Sequence, residues 1–234
     1  MKRALPFVII AAVLVAALLT VWYLTRSTGA PPATTPAANA PPLTGTSPLA
    51  NTANTPEPGA DPPHALGSAD APATLEEFGD FECPPCGVLH PILKTMHGEF
   101  GTRLRIIFRE FPLVPTHAHA LAAARAAEAA GLQGKFWEMH DLIYENQSAW
   151  HEVFDVRQIF EGYATKIGLN LEQFKRDINS QIVEQRIFLD GKRAHSLGVK
   201  GTPTVFLNGR EVPFESLPAD KLRAVINTEL AAHP

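Results

Sequence analysis

Cys83 and Cys86 are the only two thiols in the 234 residues, and they stand in the run FECPPC at residues 81–86. The stretch before them, TLEEFGDF at 74–81, leans towards a β-strand. The stretch after them, 87–100, carries Val88, Leu89, Ile92, Leu93, Met96 and Phe100 at helical spacing, with Pro91 marking a kink. The pair therefore falls where a strand meets a helix. At the helix N-terminus, unpaired N–H groups and the helix dipole favour a thiolate at Cys83. Cys86, one turn further in, is at disulfide distance and shielded from large reactants. Cys83 can then attack, or be attacked, to form a mixed disulfide that Cys86 resolves. Two other readings compete with this one. Cys86 and His90 are i, i+4 on the helix, so Cys83, Cys86 and His90 could hold a metal, although a fourth ligand and a second CxxC are missing. An inert structural disulfide is the other, but closing so short a loop adds little stability.

The elements that must position this pair follow from the rest of the pattern. Residues 103–111 form a second strand, closed by Pro112. From 116 to about 196 the pattern is helical: an Ala-rich helix over 118–130, an amphipathic one over 135–146, N-caps at Asp155 and Asn170, and a helix over 182–195. Phe136, Trp137, Met139 and Leu142 read as core of this block rather than as a substrate groove. Strand signals return at 204–207, and Asn208-Gly209 predicts a hairpin with 211–214 coming back. A last helix runs from 216 to 230. The order β, α, β, helical block, β-hairpin, α predicts a mixed α/β sheet of four or five strands with helices inserted between its halves.

The FECPPC run, the helix after it and Gly201-Thr-Pro-Thr204 before a strand resemble the thioredoxin fold. Phe111-Pro-Leu113, His117, the Ala-rich helix and the segment GKFWEMH at 134–140 are similar to the DsbA family of extracytoplasmic thiol–disulfide oxidoreductases. The resemblance covers residues 65–232 or so. It implies a thioredoxin-like domain over 64–234 with a helical insertion at about 115–196. It makes Cys83 the nucleophile, Cys86 the resolving thiol, Pro203 a cis-proline facing the disulfide, and Thr202 a source of backbone for an extended substrate. Glu77 matches the buried acid that serves proton transfer near the resolving thiol; a satisfied strand-end carboxylate is the alternative. Asp80 and Glu82 are expected to be solvated. His117 and His119 follow a loop that could approach the site. No cofactor is implied beyond the Cys83–Cys86 disulfide, and no metal. The partners implied are exported proteins with thiols or disulfides, and a DsbB- or VKOR-type membrane oxidase. The sequence departs from the strongest oxidases of the family at Pro84-Pro85, where they carry a histidine. Neither proline can donate an N–H to the Cys83 sulfur, and Glu82 adds a like charge, so a less depressed Cys83 pKa and a less oxidising couple are expected.

The N-terminal third has a different character. After Met1-Lys2-Arg3, residues 5–24 are almost wholly apolar and long enough to cross the ~30 Å core of a bilayer. Trp22 and Tyr23 stand at the far end, and the positive-inside bias keeps residues 1–4 cytoplasmic. Residues 1–26 therefore read as an uncleaved inner-membrane anchor, with a cleaved signal peptide as the alternative. Either way the remainder is exported to the periplasm or its equivalent. Residues 27–63 are rich in Pro, Ala and Thr without aromatics, a composition that cannot offset the entropy of ordering. They are expected to be a disordered tether, on the order of 110 Å fully extended and roughly 35 Å as a coil. A formal charge of −4 offers no basic footprint for nucleic acid.

Overall fold

The structure, a computed structural model, describes Trp22 and residues 55–232. The anchor expected on 5–24 and the linker up to 54 lie outside the described residues, Trp22 apart. Among the described residues no helix is long and apolar enough to cross a membrane.

Five strands form one mixed sheet in the order β1-β3-β2-β4-β5. β2 (Ala73–Gly79) and β3 (Leu104–Glu110) are parallel, with Leu75 opposite Ile106. A parallel pair needs a crossover, and α1 (Pro84–Phe100) supplies it. β1 (His64–Leu66), β4 (Thr204–Leu207) and β5 (Arg210–Val212) join antiparallel. The pleat sends Leu75 and Glu77 of β2 to one face of the sheet and Glu76 and Phe78 to the other. On the first face α1 and α8 (Ala219–Ala232) enclose Leu75, Leu89, Met96, Leu104, Val205 and Ile226.

Between β3 and β4 lies the helical insertion: α2 (Ala120–Gly131), α3 (Phe136–Glu145), the single turn α4 (Gln147–Trp150), α5 (Arg157–Lys166), α6 (Leu171–Asp177) and α7 (Gln181–Ser196). It has its own core of α2 alanines with Met139, Ile143, Trp150, Phe160 and Phe174. Phe136 and Met139 are buried there, Trp137 packs at its edge, and Leu142 is buried as well, as expected of core residues. On the second sheet face, Ala194 of α7 packs with Phe78 and Phe206.

The structure sharpens the expected boundaries. α1 begins at Pro84 rather than 87, because the first helical turn needs no N–H donor and accepts both prolines. It continues through Pro91. Asn170 caps α6 by accepting from the Gln173 N–H, whereas Asp155 lies one residue before the cap of α5 and accepts from the Arg157 N–H instead. Asn208 and Gly209 turn the β4–β5 hairpin with φ of 46° and 78°, the positive values a tight primed turn requires. The returning strand stops at Val212, and Phe214–Ser216 is a short 3-10 turn.

The tether expected over 27–63 ends earlier than its composition suggests. Arg109 donates to the carbonyls of Ala60 (2.7 Å) and Pro58 (3.2 Å), and Arg193 to that of Glu57 (2.8 Å). The Ala60 N–H donates to Asp190 at 2.8 Å, and Ala60 is buried. The folded domain thus starts near residue 57, not 64: side chains from β3 and α7 satisfy a backbone whose own buried apolar contribution is the small side chain of Ala60.

Candidate active site

Cys83 is the N-cap of α1, with extended backbone at φ −70° and ψ 119° and no side-chain cap. A loop of three residues brings the chain from the end of β2 to this position. Gly79 makes that exit possible: a Cβ there would stand 2.4 Å from the Phe108 ring and 3.0 Å from the Tyr144 hydroxyl. Gln147 holds the loop from the other side. Its Nε2 donates to the carbonyls of Phe81 (2.7 Å) and Cys83 (3.0 Å). Both cysteines are free thiols, Cys86 fully buried and Cys83 with 5% of its surface exposed.

The two thiols differ in acidity. The Cys86 S–H, hydrogen-bonded to the Cys83 sulfur, is the largest influence lowering the Cys83 pKa, and burial opposes it. Help from Thr202 and the Cys86 N–H leaves Cys83 at about 6. The charge of Asp80 works against the thiolate. Cys86 moves the other way: burial, then the bond to Cys83, then Glu77, push its thiol well above the ordinary value. This is the asymmetry an attacking and a resolving thiol need, and it arises from position alone.

Each expected site residue has a definite place. Thr202 faces Cys83, whose Sγ donates to the Thr202 carbonyl at 3.3 Å, while the buried Thr202 hydroxyl has no hydrogen-bond partner. The Thr202–Pro203 peptide bond is cis. Glu77 is buried with Oε1 unpartnered, so it is not a satisfied strand-end carboxylate. Burial, and then the charge of Cys83, raise its pKa to about 8.

Asp80, expected in solvent, is buried. It accepts from the N–H groups of Glu82 and Leu113, both at 2.8 Å, and His117 Nδ1 lies 2.8 Å from its Oδ2. Glu82 is half-buried and accepts from the His119 N–H at 2.6 Å. The loop carrying the two histidines therefore reaches the CxxC through these two carboxylates rather than through the imidazoles themselves. Asp80 and Gln147 are the residues that sequence reasoning missed. Asp80 owes its burial to a loop 33 residues away, and Gln147 to a turn 64 residues away, separations that no local pattern reports. His90, weighed as a ligand beside the cysteines, turns its Nε2 to Asp141 at 2.9 Å instead. No Cys83/Cys86/His90 metal cluster forms among the described residues.

Two concave features adjoin the thiols. An apolar groove of about 710 Å³ begins at Pro84, Pro85 and Pro203 and continues over Val88, Phe214 and Leu217, with Val88 and Phe214 mostly exposed. Behind Glu77 lies a smaller cavity of about 190 Å³, lined also by His90, Lys94, Trp137, His140 and Asp141.

The sequence model of the thioredoxin family matches residues 60–228. The chain belongs to the thioredoxin family. Its solved structural neighbours carry the same fold with the inserted helices. BdbD from Bacillus subtilis matches with a TM-score of 0.64 at 22% identity, covering 72% of this chain and 93% of that one. A thioredoxin-like oxidoreductase from Silicibacter pomeroyi matches at 0.58 and 26% identity, covering 71% and 94%. Alpha-DsbA1 from Wolbachia pipientis matches at 0.63 and 18% identity, covering 74% and 94%. The described domain is thus thioredoxin-like in the arrangement of the DsbA-type thiol–disulfide oxidoreductases. Among curated proteins, a stretch of the Na(+)/H(+) antiporter NhaA 1 of Salinispora arenicola is 41% identical over 150 residues, 64% of this chain and 22% of the antiporter. The thioredoxin-family chain spans about a fifth of the length of that relative.

Proposed function

We propose that this protein exchanges disulfides with exported proteins and works as a disulfide oxidase. The observation that carries the reading is the acidity split of the CxxC: a thiol near 6 at the groove mouth, and a buried one raised well above the ordinary value. In the oxidising direction a substrate thiolate attacks the Cys83 sulfur of the Cys83–Cys86 disulfide. That bond breaks as the mixed disulfide forms, and Cys86 leaves with the electron pair, taking the proton that Glu77 holds. A second substrate thiolate then displaces Cys83 as a thiolate. Two electrons pass to the cysteine pair and the substrate gains one disulfide. A Cys83 thiolate stable near neutral pH stabilises the reduced pair, which is what makes a disulfide oxidising. Pro84-Pro85 and Asp80 limit that stabilisation, so the couple should be less oxidising than the ~−120 mV of the strongest oxidants.

The groove beside Pro203 suits an extended segment of substrate or redox partner with apolar side chains, and the unpartnered Thr202 hydroxyl is available to it. Reoxidation would fall to a membrane oxidase of the DsbB or VKOR type, reached from a domain tethered through residues 5–24. The ion transport named for the antiporter relative is not carried over, since the matched stretch is a small part of that protein. Trapping tests the reading. Cys86→Ser, expressed in the native host, should accumulate mixed disulfides through Cys83, and none should form with Cys83→Ser. Absence of such adducts on Cys86→Ser would overturn the reading.

A further inference from the structure

His90 of α1 and the pair His140-Asp141 of α3 meet across the small cavity. Asp141 Oδ1 lies 2.9 Å from His90 Nε2 and 3.2 Å from His140 Nδ1. One ligand atom from each of the three residues falls within 4.8 Å of the others. We propose that His90, His140 and Asp141 form a binding site for a divalent transition-metal ion of the zinc type, separate from the cysteines.

The spacing suits such an ion. Ligands held 2.0–2.2 Å from a tetrahedral metal are about 3.3 Å from one another; the two carboxylate–imidazole distances of 2.9 and 3.2 Å are close to that, and all three atoms lie within 4.8 Å, so small side-chain adjustments suffice. Two imidazoles and one carboxylate are a borderline donor set that favours zinc, cobalt or nickel over calcium or magnesium, which demand oxygen ligands.

The surroundings support a ligand rather than a closed polar contact. Both rings converge on one carboxylate oxygen, and the second imidazole nitrogen of His140, Nε2, is buried without a hydrogen-bond partner. The ring is fixed between Phe108 and Trp137, whose centroids lie 4.8 and 4.9 Å away. Asp141 is oriented by its other oxygen, which accepts from Lys94 Nζ at 2.7 Å; hydrogen bonds of this kind hold ligating carboxylates in place. The cavity of about 190 Å³ supplies room for the ion and its waters, and Lys94, more than half exposed at the rim, marks the entry. The Lys94 charge lowers affinity, but Lys94 also donates to Glu145 at 3.1 Å and keeps that partner if it releases Asp141.

The test uses the full chain, stripped with chelator and held with Cys83 and Cys86 oxidised so that no thiolate can bind. Zn2+ titrated by calorimetry should bind with one-to-one stoichiometry. Co2+ should give visible d–d bands without thiolate charge-transfer absorption. His90→Gln and Asp141→Asn should each weaken Zn2+ binding at least tenfold while circular dichroism and the Cys83–Cys86 redox equilibrium stay unchanged. No stoichiometric Zn2+ binding by the oxidised chain, or binding that both variants retain, would overturn the proposal.

Discussion

Glu76 and Glu77 are adjacent on β2 and almost equally buried, at 7% and 3% exposure, yet the two faces of the sheet make different groups of them. Glu76 faces α7. There Arg193 donates to both its oxygens at 2.7 Å, and Arg109 donates to Oε1 at 2.7 Å. Burial would raise its pKa, but the two guanidiniums outweigh burial and lower it. Glu77 faces α1, where among the described residues no ion pair reaches it, and burial raises it to about 8. The first carboxylate ties the sheet, α7 and the segment at residues 57–60 into one ionic network. The second keeps a proton near Cys86, the sulfur that leaves with the electron pair in the proposed exchange. The side of a strand on which a side chain emerges decides between structure and chemistry.

The largest expected effect is on the structural side. Glu76→Gln leaves the half-buried Arg193 without its counter-charge and the buried Arg109 with Asp190 alone, and should cost about 3 kcal/mol in urea unfolding, with exchange per folded molecule unchanged. Glu77→Gln should do the reverse. Its stability near pH 6 should hold, while exchange with a model dithiol peptide slows by roughly a hundredfold, the scale of a lost general acid–base group. Equal effects of the two substitutions on stability and rate would erase the distinction.

A smaller effect separates the faces by pH. Glu77 has a raised folded pKa, so its contribution to stability is complete below about 4.5 and is lost as pH rises through about 8. Glu76 has a lowered folded pKa, so its contribution is present above about 4.5 and lost as pH falls through the folded value. Urea midpoints of the oxidised protein from pH 3 to 9 should therefore lose part of their alkaline decline in Glu77→Gln, the raised carboxyls of Glu110 and Asp190 carrying the rest, and part of their acid decline in Glu76→Gln. The oxidised form removes thiol titration and leaves burial as the cause of the Glu77 shift. The smallest expected change is at the CxxC itself. Pro85→His restores an N–H in the first turn of α1, and each pKa unit by which Cys83 falls should raise the reduction potential by on the order of 30 mV.

What the sequence made legible was local. Cys83 and Cys86 at a strand–helix junction, Thr202-Pro203 before β4, the Ala-rich α2 and the Asn208-Gly209 turn each carry their own signal within a few residues. What it hid depends on distant partners. β1 has three residues, too few to show alternation, and exists because β3 offers it an edge. The segment 57–62 has the composition of a linker, and only Arg109, Asp190 and Arg193 make it part of the domain. Asp80 read as a solvated acid because the backbone and histidine that enclose it arrive from the loop after β3. His90 lay in plain view as a possible ligand, but its partners stand 50 and 51 residues away on α3.

The acidity split of the dithiol can be read most directly by titrating the reduced full chain and following thiolate absorbance near 240 nm, with Cys83→Ser and Cys86→Ser as references. The wild-type chain should show one thiolate forming with a midpoint near pH 6, lost in Cys83→Ser, and no second one forming below pH 9. Two thiols titrating together near 9, or a low midpoint that survives Cys83→Ser, would contradict the account.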